Sequence, residues 1–336
     1  MATPAVLQED RNFAAAAPAP PATSRLWIQA SLFLITLFST TAVGMRYMVN
    51  FQTGQFPLAS DADIFPYEWV FANLRHLALG LPFSLTLLAI LLTHEFGHYF
   101  ACRHFGIRAS LPYLLPAPSL SGTAGAVIRL KSRVKSRAAL LSIGAIGPLA
   151  GFLVAVIMTG VGLSLSVTSA TIPTKLVTFS PPLLFKLLRG IFSVPLNDYL
   201  LWHPVLIAAW IGLLITSLNL LPAGQLDGGH ILYALSPRLH RATTYVVMAV
   251  LVYLGVTLWL GWLLWVALLC LPGMRHPKVP DAPPVELKAL LLAPVALLIL
   301  ILTATPQPFS HSSLLHVLAP VIQALLHKVH GIHIHG

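Results

Sequence analysis

Residues 91–106 read LLTHEFGHYFACRHFG and begin at the end of an apolar run over 77–92. Imidazoles and a carboxylate are costly in such a helix; an uncompensated glutamate at membrane depth costs roughly 2.5 kcal/mol or more. His94 and His98 are four residues apart, which on a helix puts both rings on one face. Two neutral imidazoles so placed can take two corners of a tetrahedral Zn²⁺ site. Glu95 comes one residue later, about 100° round the helix, beside the ligands and not among them. That offset suits a general base acting on a metal-bound water. The stretch therefore predicts a membrane-length helix built around a metal ion.

The rest of the chain has the same character. Of its 336 residues, 57% are hydrophobic and 9% charged, where a soluble domain carries about 25% charged residues. The mean hydropathy is +0.81. An integral, multi-pass membrane protein is predicted. The net charge of +10 does not signal nucleic acid. Seven cations (Arg103, Arg108, Arg129, Lys131, Arg133, Lys135 and Arg137) fall between two apolar segments with no acidic residue among them. That is the pattern of a cytoplasmic loop under the positive-inside rule. Cys102 and Cys270 make neither a disulfide framework nor a thiolate metal site.

Residues 1–25 are rich in Ala and Pro and are expected to be a disordered tail. Apolar segments at 27–44, 76–102, 138–165, 200–221, 242–271 and 287–304 predict an all-α bundle of about six transmembrane helices. It occupies residues 26–306, with a core at 76–235. The segment 242–271 is read as one helix, although Gly261 offers a break. Loops 46–75 and 166–199 then face outward and 222–241 faces the cytoplasm. The single helix places 273–286 outside, where Arg275 and Lys278 fit poorly, and the C-terminus inside. Over 307–336, Leu314, Leu318, Val321 and Leu325 recur at helical steps opposite His316, Gln323, His327 and His330. This predicts an amphipathic interfacial helix with a solvated polar face.

Two histidines leave a catalytic zinc one protein ligand short of the usual three. His104 has a tempting spacing, but Ala101 stands where the chain would need a glycine to turn back, so His104 is read as a bystander. The only glutamate after Glu95 is Glu286. The stretch SLNLLPAGQLDGGHILYAL, residues 217–235, is the better source. Pro222, Gly224, Gly228 and Gly229 break a helix between apolar flanks, and irregular backbone at membrane depth is tolerated only where it is buried in protein or lines a polar cavity. Asp227 lies in that break. It is read as the missing ligand, with an N-cap for the helix starting near Gly228 as the competing reading.

HEFGH (94–98), GPLAG (147–151) and NLLPAGQLDGGH (219–230) resemble the site-2 proteases, the membrane-embedded zinc metalloproteases of peptidase family M50. The likeness runs from about residue 76 to 235 and is nearest the bacterial and plastid type without a PDZ domain. It implies His94, His98 and Asp227 as ligands of one Zn²⁺ per chain and Glu95 as the catalytic base. Asn219 matches a family asparagine that contacts substrate backbone, or it caps the broken helix. His230 is either a partner of Asp227 or a plain polar helix residue. The segment GTAGAVIRLKS (122–132), with Gly122 and Gly125, has the alternation of a short strand. In the family this region forms a membrane-associated hairpin or sheet, here between the second and third helices, that pairs with an extended substrate; a plain basic loop is the alternative. Gly147 and Gly151 are read as a small-residue packing face.

The function so implied is hydrolysis of a peptide bond in or near the span of a single-pass membrane protein. A bacterial inner membrane is expected, with the site toward the cytoplasmic side and water entering from there. Two alternatives stand beside it: a CAAX-type zinc endopeptidase, which would want a later glutamate ligand, and a zinc transporter, which would want polar residues spread along a path.

Overall fold

The computed structural model of the protein describes residues 26–58, 63, 65–169, 178–192, 200–274, 276–279, 287–310, 312–315 and 318. The expected tail (1–25) and most of the expected C-terminal amphipathic helix lie outside the described residues. Among the described residues, four helical stretches are long and apolar enough to cross a membrane: Leu26–Gln52, Leu74–His104, Arg137–Leu165 and Pro237–Thr257. We label Leu26–Gln52 α1. The second opens as a 3₁₀ turn and continues as α2, Leu81–His104. Arg137–Leu165 is α3, opened by Ser136, whose hydroxyl accepts the Ala139 N–H at 3.2 Å. This cap satisfies one of the donors that a helix start leaves without an internal partner.

Helix α4, Pro204–Asn219, is shorter than a span, and all of it but Ile215 and Asn219 is buried. Hidden among other helices, it need not match the bilayer itself. Its side chains meet those of α2 and α3 in the main core, around Phe83, Leu87, Ile90, Leu206 and Trp210. An irregular turn leads into α5, Asp227–Leu235, and Ser236 then caps α6, Pro237–Thr257. Helix α3 is the hub, packing against α2, α4 and α5.

Between α2 and α3 the chain forms the expected hairpin. Strand β1, Tyr113–Pro116, pairs antiparallel with β2, Thr123–Val127, with a bulge near Leu115. The hairpin lies lengthwise on α1. Gln29 Nε2 donates to the Leu111 carbonyl at 2.8 Å, Ser39 Oγ to Gly122 at 2.6 Å and Tyr47 Oη to Leu120 at 2.8 Å. At 1.5 Å per residue, Gln29 to Tyr47 covers about 27 Å of helix, close to the ~30 Å of a bilayer core.

The C-terminal third departs from the sequence reading. The segment 242–271 is two helices: α6 ends at Thr257, and α7, Gly261–Cys270, folds back on it. Gly255 supplies the close approach, since a methyl group there would overlap Leu263. The turn is pinned where Leu260 N–H meets the Ser312 carbonyl at 2.8 Å. The reversal returns 273–279 to the end that carries 222–240, where Gly224 meets Leu269 and Met274. Lys278 therefore shares an end with the basic loop, which removes the poor fit of the one-helix reading; Arg275 lies outside the described residues.

Helix α8 is Leu292–Thr303. The chain after it reaches the opposite end, where Trp262 Nε1 donates to the Pro306 carbonyl and Phe309 packs on Trp210 and Trp259. Residues 304–310 thus lie opposite the basic end, reversing the inside placement that the one-helix reading implied.

Candidate active site

The regular half of the site comes from α2. His94, Glu95 and His98 are all buried there, with ligand-capable atoms within 4.8 Å of one another. Small residues on α3 make the room. A methyl group at Gly147 would overlap the His98 imidazole, and one at Gly151 would lie 2.9 Å from His94 Cβ. The packing face read from GPLAG is therefore the wall against which both rings rest.

The irregular half is Asp227, the first residue of α5. Its helix has no side-chain cap, so the capping alternative is not realised. Its Oδ2 lies 3.2 Å from His94 Nε2 and 3.3 Å from His98 Nε2. Close backbone contacts set this position. Gly144 of α3 lies against the Asp227 carbonyl, and a methyl group at Gly228 would overlap the Leu220 carbonyl.

The donor set fits a cation of zinc's size. His98 Nδ1 is 2.8 Å from the Ile143 carbonyl; a carbonyl only accepts, so that nitrogen carries the proton. In its neutral form the ring turns a lone pair from Nε2 toward a carboxylate oxygen, and a cation between them would satisfy both. Two donors at 2.0–2.1 Å from one ion, at the tetrahedral angle, sit roughly 3.3 Å apart. The observed separations match that edge and exceed the ~2.7–2.9 Å of a charge-assisted hydrogen bond.

Glu95 stands beside this trio with its carboxylate close to the Ile128 main chain, just past the end of β2. The hairpin thus reaches the site directly. Gly122 is committed to packing, since its carbonyl takes the Ser39 hydroxyl and a side chain would strike α1. Gly125 is open, with nothing near the place a side chain would occupy. Asn219 ends α4 half-buried, and its amide has no hydrogen-bond partner among the described residues. His104 ends α2 exposed and stacks edge-on with Phe105. His230, one turn beyond Asp227, bonds to His276 and not to the aspartate.

Sequence reasoning missed four participants: the Ile143 carbonyl, Gly144, the Ile128 main chain and His276. The run of small residues through 144, 147 and 151 signalled Gly144; nothing local signalled His276.

Comparison with known proteins agrees with this geometry. The description of peptidase family M50 matches residues 82–262, which contain His94, Glu95, His98 and Asp227. A protein named probable zinc metalloprotease EGY1, chloroplastic, from Arabidopsis thaliana is 32% identical over 308 residues, 85% of this chain and 54% of the relative. Probable zinc metalloprotease EGY2, chloroplastic, of the same plant is 35% identical over 177 residues, 49% of this chain and 30% of the relative. The japonica rice EGY1 is 32% identical over 234 residues, 63% and 38% respectively. The chain spans about half the length of the first relative and about a third of the other two. With more than half of the sequence inside the family match and the paired imidazoles meeting a distant aspartate, the chain belongs to peptidase family M50.

Proposed function

We propose that the chain is an intramembrane zinc metalloprotease that hydrolyses a peptide bond in or next to the span of a single-pass membrane protein. One observation carries the reading: Asp227 Oδ2 faces both imidazole Nε2 atoms at 3.2 and 3.3 Å with Glu95 alongside. The relatives' names, zinc metalloprotease in each case, support it. His94, His98 and Asp227 hold one Zn²⁺ in this reading. When bound, zinc polarises the scissile carbonyl and acidifies a water.

The chain's own residues do the rest. Glu95 takes the proton of the attacking water and hands it to the leaving amine. The Ile128 main chain lies close to its carboxylate, between the imidazoles' helix and the hairpin. A helical substrate must unwind before its peptide bond is reachable, and its freed backbone groups need partners at membrane depth. The side of β2 turned away from β1 offers them by strand addition, and Gly125 leaves space for the approach. The length over which the hairpin follows α1 supports its lying within the bilayer. In this reading the Asn219 amide holds the substrate backbone.

The site lies in the final turns of α2, nearer the basic end of the bundle, so water enters from the cytoplasmic or equivalent side. The plastid names of the relatives lend a bacterial inner membrane no support; the charge pattern supports the side, not the organelle. Transport and CAAX-type processing gain no observation here. His94, Glu95, His98 and Asp227 gather together, and the carboxylate that faces both imidazole Nε2 atoms is that of Asp227, not of a later glutamate.

The test is cleavage of a panel of single-span peptides by purified protein in liposomes, with zinc content measured in parallel. Wild type should cut and Glu95→Gln should not, while both hold zinc. Cleavage that survives in Glu95→Gln would sink the reading.

A further inference from the structure

A second histidine cluster lies one helical turn from Asp227. His230 Nδ1 is 2.9 Å from His276 Nε2, and His276 Nδ1 is 2.8 Å from the Pro277 carbonyl. The His276 ring stacks on Tyr233 at 3.8 Å between centroids, 10° from parallel, and His240 meets its edge at 5.4 Å. His276 follows the returning α7, outside the 82–262 match. Its segment is tied down along its length: Gln225 Nε2 donates to the Gly273 carbonyl, and Val279 packs near Leu140 and Ala234.

The direction of each bond follows from elementary constraints. A carbonyl only accepts, so His276 Nδ1 carries a proton. The neutral ring then has an acceptor at Nε2, and His230 Nδ1 must donate to it. Burial, with His240 beside it, lowers the His276 pKa below the ordinary imidazole value, in keeping with that neutral form. His230 sits at the third position after Asp227, on the same side of α5. An unrestrained His230 could swing its N–H onto the aspartate carboxylate and compete with a metal ion for it.

We propose that His276 is a positioning residue of the metal site: by accepting a hydrogen bond from His230 Nδ1–H, it keeps that imidazole off Asp227 and leaves the carboxylate to the ion. The inference rests on the zinc reading of the site. It gives the returning segment 273–279 a role that hydropathy alone does not suggest.

Two substitutions separate the hydrogen bond from the packing. His276→Phe keeps the stack on Tyr233 and removes the acceptor; His276→Gln keeps an acceptor and loses the ring. Zinc affinity is read by competition with a chelator on full-length protein in micelles. The visible spectrum of the Co²⁺-loaded protein reports ligand geometry, and thermal melting reports folding. His276→Phe should bind zinc about 10–100-fold more weakly with an altered cobalt spectrum, and His276→Gln should stay near wild type. Adding His230→Phe to His276→Phe should restore affinity, because the competitor is gone. Wild-type affinity in His276→Phe, equal loss in the Gln and Phe variants, or a double variant as weak as the single would each overturn the inference. A wild-type protein that binds no zinc would instead bring down the site reading, and this inference with it.

Discussion

The two halves of the site are built in opposite ways. His94, Glu95 and His98 share just over one turn of α2, so the backbone hydrogen bonds of one helix fix their mutual placement. Asp227 comes from a break in regular structure and is located by Gly144, by Leu220 packed over Gly228 and by its neighbours on α5. The first half is local and the second is long-range. Chemistry carried by the local half should therefore be removable without disturbing the metal, whereas metal binding should respond to changes in packing between helices.

The largest expected effect lies in the local half. Glu95→Gln should lower turnover about 10²–10⁴-fold with zinc content unchanged; loss of zinc in this variant would make Glu95 a ligand and merge the two halves. The next probes the wall between them. Gly147→Ala drives a methyl group into the His98 ring, and overpacking of this kind costs about 1–3 kcal/mol. Its zinc affinity and melting temperature should fall together, and a variant unchanged in both would deny α3 its part in setting the imidazoles. The smallest effect is expected at His104, which is exposed at the end of the same helix. His104→Ala should leave zinc binding and cleavage unchanged, and a lost zinc ion would restore the third-histidine reading.

This division also explains what the sequence could tell. The α2 half was legible because helical spacing turns residue numbers into geometry, and because polar groups in an apolar run need a reason. Asp227 was legible by a different signal, glycines and a proline interrupting a hydrophobic segment. The hairpin was readable from the alternation after Gly122; its length against α1 was not, since it depends on hydroxyl-to-carbonyl bonds such as Ser39 to Gly122. The C-terminal third was misread because hydropathy counts apolar residues and does not register turns. Leu258, Trp259 and Leu260 are as apolar as their neighbours, yet the chain reverses there, held by Ser312 and by the close fit at Gly255. That reversal brings His276 to His230, so a contact near the site depended on the least legible stretch.

In the proposed reading, the metal site exists only where α2 and α5 meet. Competitive zinc titration of wild type and Asp227→Ala, on full-length protein in the same micelles, tests it most directly. One zinc per wild-type chain is expected, with an affinity at least about 100-fold weaker in the variant, more than the 10–100-fold that loss of an outer partner costs. Equal affinities in the two proteins would contradict it.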